Sequence, residues 1–159
     1  MDENYQAKIT ELIDKSEVAS AVNGYFRAID EKNFDVEHFA NIFTRDAKVT
    51  RPNGASMTGP DEISTSHQRS FARFEGTQHI LTGHDVSITD HRATVRANLI
   101  AMHLWQGSNT DARKADNFFV AGGIIDGELL QVEGQWKISL LSNTIVWRAG
   151  AFKNMAQTK

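Results

Sequence analysis

The sequence predicts an α+β fold in which N-terminal helices close a strongly curved, mostly antiparallel sheet. Three observations predict it. Apolar residues keep helical spacing in the segments Tyr5–Ile29, Phe34–Phe43 and Ile63–Phe74. From Thr77 onward the spacing changes to period two, the pattern of half-buried strands. No linker, repeat or low-complexity tract interrupts the 159 residues, so helices and strands belong to one domain. Helices followed by an antiparallel meander pack on one sheet face. Strands this long must curl to bury that face, which leaves a pocket inside.

Tyr5, Ile9, Leu12 and Ile13 make a first helical stripe, and after Ser16 a second runs Val18, Val22, Tyr25, Phe26, Ile29. One bent helix or two would carry them equally well. A short helix spans Phe34–Phe43 through Val36, Phe39, Ala40 and Phe43. Lys48–Arg51 reads as a strand, stopped by the turn signal Pro52-Asn53-Gly54. Gly59-Pro60-Asp61-Glu62 starts another helix, because proline and acids suit a first turn. Its stripe is Ile63, His67, Ser70, Phe71 and Phe74, with Gly76 as the stop.

Gly76-Thr77-Gln78-His79-Ile80-Leu81-Thr82 opens the strand-rich half. Val86 and Ile88 alternate, and Thr89-Asp90-His91-Arg92 reads as a turn. Val95, Ala97, Leu99, Ala101, His103 and Trp105 share one strand face, opposite Ile100, Met102 and Leu104. Gly107–Arg113 reads as a polar loop. Asn117–Leu130 and Trp136–Trp147 are two further strands joined at Val132-Glu133-Gly134-Gln135. Gly122-Gly123 lies inside a strand and marks a bulge or bend rather than a phosphate-binding loop.

Composition removes several classes of function. The chain is 40% hydrophobic and 23% charged, with net charge −3, and its basic residues are scattered. It therefore carries no electrostatic footprint for nucleic acid or an anionic membrane. Without cysteine it has no disulfide, thiolate nucleophile or cysteine-held metal. Met1-Asp2-Glu3-Asn4 is acidic where a signal peptide is basic, and no segment approaches the roughly 20 apolar residues that span a bilayer. The expectation is a cytoplasmic protein with no nucleic-acid or membrane partner.

Ala28-Ile29-Asp30, Asn33-Phe34-Asp35, Thr77-Gln78-His79, Gly134-Gln135-Trp136-Lys137 and Ile145-Val146-Trp147 occur in that order. Order and spacing together resemble the SnoaL-like branch of the nuclear-transport-factor-like proteins. Within it they are most similar to the group of scytalone dehydratase, bile-acid dehydratase and hexachlorocyclohexane dehydrochlorinase. The resemblance covers roughly residues 16–150. It implies a cone-shaped α+β barrel with a conical pocket, and a homodimer or homotrimer. It also implies a histidine base at His79, an aspartate partner at Asp30 and a second histidine at His103. One departure stands out. The two tyrosines that hold a water against the substrate carbonyl in the fungal dehydratase fall at Ile29 and about Arg51 here, so that device is missing. Tyr25, one helical turn before Ile29, is a candidate substitute.

The residues themselves leave alternatives open. Asp30 lies on the ridge of the apolar helix stripe, yet it also sits in the polar ending Asp30-Glu31-Lys32-Asn33, where a solvated acid is ordinary. A carboxylate at a helix C-terminus is also mildly disfavoured by the macrodipole. His79 fits either a satisfied strand histidine or a proton-transfer group, since imidazole titrates near neutral pH. His103 has apolar neighbours on both alternations and points inward on either reading; a buried polar group needs a partner, and Asp30 is the natural one. His67 reads as packing, and His38, His84 and His91 as surface or turn residues. Two histidines and an aspartate also form an iron facial triad, but here three distant elements supply them. No Gly-x-Ser-x-Gly elbow occurs.

The expected function is a cofactor-independent lyase acting on a hydrophobic cyclic or polyketide-like small molecule, without metal. His79 is the base, Asp30 its support and His103 a positioning or proton-donating group, while Tyr25, Ile29, Leu99 and Trp105 line the pocket. A polyketide cyclase or isomerase using the same residues, and a non-catalytic binding domain, are the alternatives.

Overall fold

The structure is a computed structural model that describes residues 2–107, 114 and 116–152. The predicted polar loop falls almost entirely outside the described residues. Helix α1 (Glu3–Asp30) is one continuous helix. Asp2 caps it by accepting from the Asn4 N–H at 3.2 Å. Its first apolar stripe stays exposed, with Tyr5 at 59% and Leu12 at 68%, whereas Val18, Val22, Tyr25, Phe26 and Ile29 are buried. The helix stops in a Schellman turn: Lys32 sits at φ 54, its N–H donates to Ile29 O and the Asn33 N–H donates to Ala28 O. That stop fixes Asp30 as the last helical residue.

Helix α2 (Val36–Ile42) is capped by Asp35, whose carboxylate accepts from the His38 N–H. Strand β1 (Phe43–Thr50) starts earlier than the sequence suggests, and β2 (Ser56–Thr58) pairs back on it. Helix α3 (Gly59–Phe71) has Pro60 in its first turn. It ends before Phe74, so Phe74 and Gly76 belong to a strand rather than to the helix. The reason is tertiary: the Phe74 ring packs at 4.9 Å from Trp105 and 5.8 Å from Phe119, as part of a second core cluster.

The remaining strands are β3 (Phe74–Thr89), β4 (Arg92–Trp105), β5 (Phe118–Val132) and β6 (Gln135–Gly150). The β5–β6 hairpin turns through Glu133 and Gly134, both at positive φ as a type I′ turn requires. The sheet runs β2-β1-β6-β5-β4-β3, and only the β1–β6 pairing is parallel. It is an open six-stranded sheet rather than a closed barrel. The main core lies between the three helices and one sheet face, with Phe39, Ile63, Leu99, Ile125 and Ile138 wholly or almost wholly buried.

Two irregularities decide what faces this core. In β3 the register slips between Thr82 and Asp85, with Gly83 at φ 65. One extra residue switches the alternation, so Thr77 and His79 on one side of the slip and Val86 and Ile88 on the other all face the helices. Where β5 meets β6 the register slips at Gly122/Gly123. Gly122 pairs with Trp147 and Gly123 with Ile145, so the extra residue is Val146 and the bulge lies in β6, opposite the glycines at which the sequence predicts it. A Cβ on Gly122 would meet the Trp147 ring at 2.1 Å, and one on Gly123 would meet Thr144 O at 2.7 Å. Close approach therefore requires glycine at both. Among the described residues, no helix is long and apolar enough to cross a membrane.

Candidate active site

Thr77 and His79 project from β3 toward the end of α1, where the Schellman turn has left Asp30. Asp30 accepts three hydrogen bonds there. Its Oδ1 takes the Thr77 hydroxyl at 2.8 Å and the His79 ring Nδ1 at 2.6 Å, and its Oδ2 takes the His79 backbone N–H at 2.8 Å. Burial acts to raise the Asp30 carboxyl pKa. The His79 ring bond and charge, the backbone N–H and the Thr77 hydroxyl outweigh it, and the net direction is downward. Asp30 is thus an ionised acceptor that holds a proton on His79 Nδ1 and leaves Nε2 as the basic nitrogen. The His79 side chain is only 5% exposed, and its ring lies 5.2 Å from Phe26.

His79 lines a cavity of about 480 Å³, within the size range of small-molecule sites. The register places Ala101 opposite His79, and Ala121 opposite Ala101. These short side chains leave the space beside the imidazole that larger residues would fill. Phe26, Ile29, Leu99, Phe119 and Leu141 are among the apolar residues of its wall.

The residues singled out from sequence separate into three groups. His79 and His103 both line the cavity, their ring centroids 5.6 Å apart. Tyr25, Ile29 and Leu99 line it, and Asp30 is bonded to His79. Trp105 does not join them. It packs in the second cluster with Phe74 and Phe119, and its Nε1 donates to Ala151 O at 2.9 Å. The strand alternation placed Trp105 on the inward face, but the aromatic cluster beside it fills the space between it and the cavity.

His103 departs from expectation in its partner. Its ring stacks on Phe119 at 4.2 Å with a 9° interplanar angle, and its Nδ1 is buried with no hydrogen-bond partner. Asp30 is not bonded to it. Burial first, then the neighbouring His79, push its pKa down to about 3, partly offset by Asp30 and the Ala101 carbonyl. His103 is a neutral ring at ordinary pH. Replacing it with phenylalanine keeps the stack on Phe119 and removes an unpaired buried nitrogen. The expected result for His103→Phe is a gain of about 1–2 kcal/mol in unfolding free energy, read by urea denaturation. A loss of stability would mean that the nitrogen is satisfied in solution.

Sequence reasoning missed a second polar group on the cavity wall. His67, expected as packing, is 2% exposed and bonded on both ring nitrogens: Nε2 to the Tyr25 hydroxyl oxygen at 2.6 Å, and Nδ1 to the Arg51 guanidinium at 3.2 Å. Arg51 also donates to the Ser70 hydroxyl at 2.5 Å. The one signal available was that His67 and Ser70 share a helix stripe; partners on α1 and β1 are invisible to local spacing. His84 is half-buried and bonded to Asn23 on α1 at 3.1 Å, instead of lying free at the surface. His91 lies exposed in its turn, as expected.

An open mixed sheet, three helices on one face and a His–Asp pair inside an apolar cavity define a pocketed α+β domain. The chain belongs to the SnoaL-like domain family, which matches residues 10–142. Solved structures carry the same fold. The Kfla4162 protein of Kribbella flavida is 22% identical with a TM-score of 0.77, over 87% of this chain and 94% of that one. A Novosphingobium aromaticivorans protein provisionally named a scytalone dehydratase is 19% identical with a TM-score of 0.73, over 96% and 99%. A hexachlorocyclohexane dehydrochlorinase of Novosphingobium barchaimii is 13% identical with a TM-score of 0.74, over 92% and 95%. No curated protein sequence matches the chain.

Proposed function

We propose that the protein is a cofactor-independent lyase of the dehydratase type, acting in the cytoplasm on a hydrophobic cyclic or polyketide-like molecule. The observation that carries this reading is the His79–Asp30 pair: an ionised carboxylate holds one ring nitrogen of an imidazole that lines a mostly apolar cavity of about 480 Å³. His79 Nε2 takes a proton from the carbon α to a carbonyl, and the C–H electrons pass through the new C=C bond onto the carbonyl oxygen. The enolate then re-forms the carbonyl and expels the β-hydroxyl, which receives the proton from His79 and leaves as water. His103, neutral and stacked on Phe119, acts by shape and hydrogen bonding rather than by charge. Dehydratase and dehydrochlorinase names among proteins of the same fold support elimination. The exposed apolar residues Ile80, Ile100, Val146 and Trp147 on the outer sheet face support a homodimer or homotrimer, which light scattering would test.

The test is a panel of cyclic and polyketide-like β-hydroxyketones incubated in D2O. Elimination loses the mass of one water, whereas isomerisation or aldol closure with the same residues conserves mass. Deuterium entering the α-position reports proton abstraction even when no product leaves. Tight binding of panel members without exchange or mass change would make the domain a binder and overturn the assignment.

A further inference from the structure

We propose that the cavity carries an anion subsite centred on Arg51, and that its ligand is a hydrophobic carboxylic acid whose acid group sits away from the base. This deepens the reading above by naming the substrate class. It rests on the cavity being the substrate site, and not on the role of His79.

The first observation is a charge imbalance that the fold creates. The chain has 20 acidic and 17 basic residues, and the basic ones are scattered along it. Three arginines nevertheless line the cavity: Arg51 after β1, Arg73 between α3 and β3, and Arg148 on β6. Among the described residues, no aspartate or glutamate lines it. The Asp30 carboxylate is engaged by Thr77 and His79.

Arg51 is the informative cation. It is half-buried, and its guanidinium donates to the Ser70 hydroxyl at 2.5 Å and lies 3.2 Å from His67 Nδ1. His67 brings no negative charge. Burial, then the Arg51 charge, push its pKa down to about 3, although the Ile63 carbonyl accepts from the ring. Burial also pulls the Arg51 pKa down; Tyr25 opposes that, and the Arg73 charge adds to it. A guanidinium stays ionised all the same. Among the described residues, no carboxylate pairs with it. A cation withdrawn from bulk water needs an anion beside it, and a ligand in the cavity can bring one. Ser70 takes one N–H of the fork and leaves others, which suit the two oxygens of a carboxylate.

The second observation is where the cations stand. The register sets His79 beside Ala101, Ala101 beside Ala121, and Ala121 beside Arg148. One row thus runs from the base to a cation over two alanines, about 14 Å of sheet at ordinary strand spacing. The Arg148 guanidinium lies 4.5 Å from the centre of the Phe152 ring, and both residues line the cavity. On the helix side the Phe71 ring is 6.2 Å from His79 and 5.6 Å from His67, so two neutral rings lead from the base to Arg51. Either way, the cation and the base are separated by uncharged wall. The acid group of the ligand is a handle, and the carbon that meets His79 lies elsewhere on the molecule.

Matched probes test this. 2-Naphthylacetic acid and 2-naphthylacetamide share a hydrophobic body and differ in charge at pH 7. Calorimetric titration should find the acid bound about tenfold or more tightly than the amide, as for a hydrogen bond to a charged group. Arg51→Met should abolish that preference, with circular dichroism as the folding control. In the wild type, the side-chain N–H resonances of Arg51 should shift with the acid and stay still with the amide, which needs no variant. His79→Ala should keep the preference, because the base stands apart. Equal affinity for the two probes, no binding of the acid, an unchanged preference in Arg51→Met or its loss in His79→Ala overturns the proposal. Tighter binding of 2-naphthyl phosphate than of the acid overturns the carboxylate assignment. Acids that bind with this preference but show no exchange in the D2O panel would instead strike the His79 assignment and leave the subsite standing.

Discussion

His79→Ala is expected to lower turnover by about 10²–10⁴-fold while the protein stays folded. That range is the usual contribution of one positioned acid–base group. The fold should survive, because the ring lines the cavity and its one side-chain hydrogen bond among the described residues is to Asp30. Asp30→Asn should approach the same loss by another route. Asp30 accepts three hydrogen bonds on two oxygens, and an amide replaces one of those acceptors with a donor. The NH2 then faces either the His79 N–H or the Thr77 hydroxyl and His79 ring, so Nδ1–H is no longer enforced. Steady-state rates and the nitrogen NMR tautomer of His79 check both variants, with circular dichroism as the folding control. Near-normal turnover in either would remove the pair from the mechanism.

The second large effect is acid lability above the carboxylate range. His67 and His103 are both held neutral, with pKa values near 3 against about 6.5 in an unfolded chain. His67 faces Arg51, Tyr25 and the charge of His79; His103 faces His79 and Asp30. Above pH 6.5 neither state binds these protons, so they do not affect stability. Between pH 6.5 and 3 the unfolded state binds them and the native state does not. Stability therefore falls as pH falls, by about 1.4 kcal/mol per pH unit for each histidine. Asp30 works in a lower window. Its depressed pKa contributes stability above about pH 4, and that is lost as pH falls through the folded value. Urea titrations between pH 7 and 4.5 isolate the histidines. His103→Phe should make the slope shallower by about one proton; an unchanged slope would mean that His103 titrates alike in both states.

Much of the fold was legible because period and composition are local properties. The stripe Val18, Val22, Tyr25, Phe26, Ile29 becomes the buried face of α1, whereas Gly122-Gly123 marks the close approach of β6, whose Val146 is the bulged residue. The end of α3 was not legible, because Phe74 continues the helical spacing while its ring is drawn into a strand-borne cluster with Trp105 and Phe119. The same cluster takes Trp105 away from the cavity it was expected to line. Asp30 was assigned on a resemblance, not on its surroundings, since a polar helix ending reads as solvent-exposed.

The sequence by itself determined most element types, the apolar faces and the inward strand position of His103. Periodicity and turn chemistry act over a few residues, so they can be read without a partner. Only the tertiary structure decided which polar groups meet. Asp30 and His79 are 49 residues apart, and Tyr25 and His67 are 42 apart. Their pairing depends on where α1 stops, on the β3–β4 register that sets His79 opposite Ala101 and on how α3 lies against β1. One residue of slip turns every later side chain of a strand to the other face. The same letters in another register would leave His79 and Asp30 apart.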